Sequence, residues 1–123
     1  EHQEQAFFFQ RIALDPRTRD VPIFAIPNGG HRHKAVAAKL KAEGVRAGVP
    51  DVFVAWPAPT PDREWSDQYQ HHGLFLEFKR QRGGVTSDAQ RDWHTRLRTA
   101  GYRVEVVAGA DAAFTALLEY LGH

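Results

Sequence analysis

A chain of 123 residues with 16 Lys and Arg against 15 Asp and Glu carries a net charge of +1, and its length suits one domain with a real core rather than two. With no cysteine, disulfides and thiolate zinc sites are excluded, and a reducing cytosol is compatible. No apolar run approaches membrane-spanning length or reads as a signal peptide, so a soluble protein is expected, and the opening Glu1 reads as a trimmed or processed start.

Residues 1 to 14 are predicted to form a helix stopped by Asp15-Pro16, with Ala6, Phe9 and Ala13 on one line and Phe8 and Ile12 on the next. Glu1 and Gln5 continue the Phe8 and Ile12 line. Ile23 to Ile26 reads as a short strand, and Pro27-Asn28-Gly29-Gly30 is turn chemistry. A second helix is predicted from about His31 to Glu43, stopped by Gly44. Its basic opening, His31-Arg32-His33-Lys34, opposes the helix dipole at about 0.3 to 1 kcal/mol per charge, a sign that a bound phosphate would reverse. Free amides after the two glycines, with His31, Arg32, His33 and Lys34, make a candidate phosphate cradle. A screened, solvated first turn is the plain alternative.

Gly48-Val49-Pro50-Asp51 then opens a short apolar strand through Val54, and Leu74 to Lys79 is a second. Between them, three prolines at alternate positions (Pro57, Pro59, Pro61) cannot join a central strand, so residues 57 to 72 read as a long excursion. Trp65 and Tyr69 in it suit base stacking or anchoring of the loop to its own domain, while His71 and His72 complete no zinc spacing. Gly83-Gly84 ends the second strand, and Thr86 or Ser87 caps a helix to Ala100 with Trp93, Leu97 and Ala100 expected on the core and Gln90 and His94 on an adjoining face. Tyr102 to Val107 is a further strand, which makes residues 74 to 107 a parallel β-α-β unit. Residues 111 to 121 close the chain as a helix with Phe114, Leu117, Leu118 and Leu121 buried. The order α-β-α-β-β-α-β-α describes a small mixed sheet flanked by helices, an α/β domain over residues 1–123.

Both apolar strands carry acids that a buried strand avoids. Period-two geometry puts Glu77 and Lys79 on one face about 7 Å apart, and Asp51 joins them if the two strands pair. Two hard carboxylates and an ammonium are what a Mg²⁺-dependent phosphodiesterase uses, although Glu-x-Lys alone is more often a cross-face ion pair. Arg32, Lys34, Lys39, Lys41 and Arg46 before Asp51, and Lys79, Arg80, Arg82, Arg91, Arg96 and Arg98 after it, give a basic middle suited to a polyanion.

Taken together, Gly48-x-Pro50-Asp51, Glu77-x-Lys79 and Gln90 resemble the PD-(D/E)xK nucleases, specifically the virus-type replication-repair nuclease (VRR-NUC) domain. The words Ile26-Pro27-Asn28-Gly29-Gly30, Leu40 to Val45 and Gly101-Tyr102-Arg103-Val104 are similar to the stand-alone phage and bacterial members. The resemblance implies a restriction-endonuclease-like core and a Mg²⁺- or Mn²⁺-dependent endonuclease acting on DNA structure in phage or bacterial replication and repair, hence cytoplasmic. It further implies metal ligands Asp51, Glu77, the Phe78 carbonyl and Glu1, with Glu4 as the neighbouring alternative to Glu1, catalytic roles for Lys79 and Gln90, and DNA contacts from the Asn28–Lys34 segment and Arg80. A non-catalytic nucleic-acid-binding module is the alternative. Finally, Phe7, Phe8 and Phe9 sweep about 200° of the first helix, more than one core covers, so Phe7 beside Leu14 is expected on the surface. With the resemblance, that predicts a symmetric homodimer.

Overall fold

The structure, a computed structural model, describes residues 2–27, 34–59 and 70–123. Along the chain run α1 (His2–Leu14), β1 (Ile23–Ala25), α2 (Lys34–Ala42), β2 (Val52–Val54), β3 (Ala58–Pro59), β4 (Gln70–His71), β5 (Leu74–Lys79), α3 (Asp88–Thr99), β6 (Arg103–Ala108) and α4 (Ala110–Leu121). The expected order is present, with β3 and β4 added as a two-stranded ladder that joins the ends of the proline-rich excursion, Ala58 opposite His71 and Pro59 opposite Gln70.

The main sheet has the order β1-β2-β5-β6. β1 and β5 flank β2 antiparallel, whereas β6 lies parallel to β5, as the intervening α3 requires. Alternation along β5 then sorts its side chains. Leu74, Leu76 and Phe78 join Val52 and Val54 in the buried core, where they meet Phe8 and Ile12 of α1 and Phe114 and Leu117 of α4. The Phe8 and Phe78 rings meet edge-on at 5.5 Å. Each such side chain contributes about 1.5–3 kcal/mol by leaving water. Arg11 locks the two helices together, stacking 4.0 Å over the Phe114 ring and bonding Asp111 at 2.8 Å. The opposite face is split between an aromatic half, in which the Phe53 and Phe75 rings lie 4.5 Å apart with Tyr102 beside both, and a charged half formed by Glu77 and Lys79.

Three predicted helix faces are corrected. In α4 Phe114 and Leu117 are buried as expected, but Leu118 and Leu121 are half-buried and Ala113 and Tyr120 are buried instead. In α1 only Phe8 and Ile12 are buried; Phe9 is half-buried, and Ala6 and Ala13 are exposed, because the Phe8 line alone points down onto Phe78. In α3 the buried residue is His94, with Trp93 and Leu97 half-buried and Ala100 exposed. The apolar stripe was expected to mark the core side, but α3 lies over the charged half of the sheet. Its polar i,i+4 face turns inward to meet charge, and Trp93 instead carries the Arg96 guanidinium at 4.0 Å. The first turn expected for the second helix, residues 31–33, lies outside the described residues; α2 itself buries no side chain.

Candidate active site

Asp51 is fixed by its own backbone before its side chain is considered. Its carbonyl accepts from Ile26 N–H at 2.7 Å and its N–H donates to the Leu76 carbonyl at 3.0 Å. Leu76 is the ladder partner of Val52, so this second bond is one residue out of register and ends the regular pairing at Asp51. The carboxylate then takes the next strand amide, with Phe78 N–H donating to Asp51 Oδ2 at 2.8 Å. That places Asp51 on the peptide joining Glu77 to Phe78.

The residues ahead of it explain the Gly-x-Pro-Asp word. Gly48 has φ +90°, and a Cβ there would fall 2.9 Å from the Ala89 carbonyl carbon, so the loop lies flush on the first turn of α3. Only glycine combines that conformation with that approach. Pro50, which follows, is fully buried.

α3 starts on a capping box: the Ser87 hydroxyl accepts from Gln90 N–H at 3.2 Å and Ser87 N–H donates to Gln90 Oε1 at 2.9 Å. The same Gln90 amide reaches the sheet. Its Nε2 donates to Glu77 Oε2 at 2.6 Å, and its Oε1 accepts from Lys79 Nζ at 2.7 Å. A carboxylate needs a donor and an ammonium needs an acceptor, so the two partners dictate which way the amide points. Lys79 Nζ itself lies 3.8 Å from Glu77 Oε2. Glu77 is 2% exposed and Lys79 9%, a burial that would cost several kcal/mol per charge without such partners.

His94, one helical turn beyond Gln90, approaches the other oxygen, with Nε2 3.3 Å from Glu77 Oε1. The contact has the geometry of an ion pair, yet burial first, then the charges of Arg98 and Lys79, lower the imidazole pKa below its ordinary value. A carboxylate only accepts, so Nε2 is the ring nitrogen that carries the proton here and donates to Glu77 Oε1. Sequence reasoning placed His94 beside Gln90 without giving it a role; the signal was the i,i+4 spacing itself.

The structure thus brings together Asp51, Glu77, Phe78, Lys79 and Gln90. Lys34, at the start of α2, and Arg80, just beyond β5, are exposed. Glu1, Asn28, His31, Arg32 and His33 lie outside the described residues. Glu4 accepts from Gln81 Nε2 at 3.1 Å and packs where a Cβ on Gly109 would sit, which ties the start of α1 to the ends of β5 and β6. Among the described residues no three His, Asp or Glu side chains converge as a metal cluster. Among the described residues, Asp51 and Glu77 are the carboxylates that this site offers, and as hard oxygen donors they suit a hard divalent cation.

The VRR-NUC domain model matches residues 9–111 of this chain. The chain belongs to the VRR-NUC family. That stretch holds Asp51, Glu77, Lys79, Gln90 and His94, so the site described here lies within the family domain of a nuclease-type protein. A solved structure of a VRR_NUC domain protein is similar, with a TM-score of 0.76 over 98% of this chain and 86% of that one at 24% identity. The small mixed sheet flanked by helices is therefore the fold of that VRR_NUC domain protein, a nuclease-like fold. No curated protein matches the chain in sequence. None of the helices described in this VRR-NUC protein is long and apolar enough to cross a membrane.

Proposed function

We propose that residues 1–123 act as one nuclease domain, a divalent-metal-dependent endonuclease that hydrolyses DNA phosphodiester bonds in branched, flap or junction structures. The phage or bacterial setting, the cytoplasmic location and a role in replication, recombination or repair are part of the same reading, supported by the family alone. The observation that carries the chemistry is the single network in which Gln90 joins Lys79 to Glu77 while Asp51 rests on the adjoining peptide.

The donor set fits Mg²⁺ or Mn²⁺: the Asp51 and Glu77 carboxylates would hold it, with the Phe78 carbonyl and, from outside the described residues, Glu1. In an extended strand one residue's N–H and C=O point to the same flank, and the Phe78 N–H points to Asp51, which supports a place for the Phe78 carbonyl beside that carboxylate. When bound, the cation supplies an activated water and bears charge developing on the phosphate. The protein's share is positioning. Lys79 Nζ, held by Gln90 Oε1, presents N–H donors to the attacking water or to a phosphate oxygen. Gln90 in turn keeps Glu77 and Lys79 from closing into a direct short ion pair, since their 3.8 Å separation is bridged by its amide. Arg80 and Lys34, both exposed, are assigned to the DNA backbone together with Asn28, His31, Arg32 and His33.

The test is cleavage of flap, splayed, junction and supercoiled DNA with Mg²⁺ or Mn²⁺, against a chelator and a Lys79→Ala control. Lys79→Ala is expected to lose at least about a hundredfold in rate. DNA binding that survives the chelator with no cleavage under any metal would instead make the chain a binding module.

A further inference from the structure

Glu77 emerges from the middle of the sheet with a side chain that can turn about three bonds, and its use depends on which way its carboxylate plane faces. Gln90 Nε2 holds Oε2, and a second donor on the other oxygen fixes the plane more firmly than one contact does. His94 Nε2 approaches Oε1 at 3.3 Å, and His94 is itself 4% exposed. Gln90 and His94 are one helical turn apart on α3, so the two anchors share one rigid support. That support is indexed to the sheet by the Ser87 capping box and by the close approach of Gly48 to Ala89.

We infer that His94 is a positioning residue of the site, helping to fix the orientation of the Glu77 carboxylate from α3 in the pose that would hold the cation. This rests on the metal-dependent reading given above. A donor in the shell behind a ligating carboxylate sets metal affinity without touching the metal, and its loss typically costs about 10–100-fold in affinity or activity. A side chain that merely filled space under α3 would be replaced by any ring of the same size.

The experiment compares Mn²⁺ binding, by calorimetry on the DNA-free protein, in the wild type, His94→Phe and His94→Gln. Phenylalanine keeps the ring and removes the donor, whereas glutamine carries an amide N–H to about the place of Nε2. His94→Phe is expected to weaken Mn²⁺ binding about tenfold or more, and His94→Gln to restore it to within a few-fold of wild type. Circular dichroism checks that each variant is folded, and if His94→Phe is not, His94→Asn, which keeps a polar group but falls short of Glu77, takes its place in the comparison. Wild-type affinity in the folded donor-less variant, or glutamine no better than phenylalanine, overturns the inference. A wild-type chain that binds no Mn²⁺ at all overturns the nuclease reading, and this inference with it.

Discussion

Asp51 combines two roles that a single substitution separates. Its Oδ2 accepts the Phe78 N–H and so completes the sheet where the β2–β5 ladder runs out of register, while its charge is what a cation would require. Asparagine preserves an acceptor for that amide and removes the charge. Asp51→Asn is therefore expected to fold with nearly unchanged thermal stability, to bind DNA almost as the parent does, and to lose cleavage. A gel assay in which Asp51→Asn cuts at the parental rate would remove Asp51 from the site.

At the scale of elements, the strands were legible because apolar runs of limited length between Gly and Pro signals leave few alternatives: β5 has the predicted bounds, Leu74 to Lys79. Helix faces were less legible. The periodicity of α3 shows which residues share a face, but not whether the sheet beneath that face is apolar; it turned out to carry Glu77 and Lys79, which drew Gln90 and His94 inward. The Gly48 word was recognised as a motif, yet its cause, a backbone pressed onto Ala89, depends on a contact far along the chain. Tyr120 carries no signal in the sequence for a similar reason. Its hydroxyl donates to the Trp56 carbonyl at 2.5 Å, joining α4 to the segment after β2, and burial pushes its phenol up to about 12. An unfolded tyrosine titrates near about 10. The folded chain thus keeps this proton where the unfolded chain gives it up, so the contribution is complete below about pH 10 and is lost as pH rises through about 12. Tyr120→Phe should be less stable at neutral pH by about 0.5–1.5 kcal/mol and should show a smaller decline over that alkaline window. Urea melts at pH 8 and 11 measure both, and parallel declines would exclude Tyr120 as the cause.

For the whole molecule, α1 offers the surface that a second copy would cover. Its inner line is committed to Phe78 and α4, while Phe7 is 47% exposed and Leu14 83%, seven residues apart and so on one outward line. We propose a two-fold homodimer through this line, which would let one active site per chain address each strand of a branched DNA. Phe7→Glu is expected to halve the mass seen by light scattering at tens of micromolar and to impair paired incision more than nicking. A wild-type monomer with full activity under the same conditions would remove the dimer.

β5 lies between β2 and β6 and so has no free edge, and it carries Glu77, Phe78 and Lys79. Amide hydrogens on such an inner strand exchange with solvent only when the whole sheet opens, whereas β1 at the margin and α2, which buries nothing, can open locally. Deuterium uptake should accordingly reach β5 last. The candidate site is laid on the part of the chain that parts company with its neighbours latest, so on heating, the proposed cleavage should vanish along with the final unfolding step and not with the early fraying that precedes it.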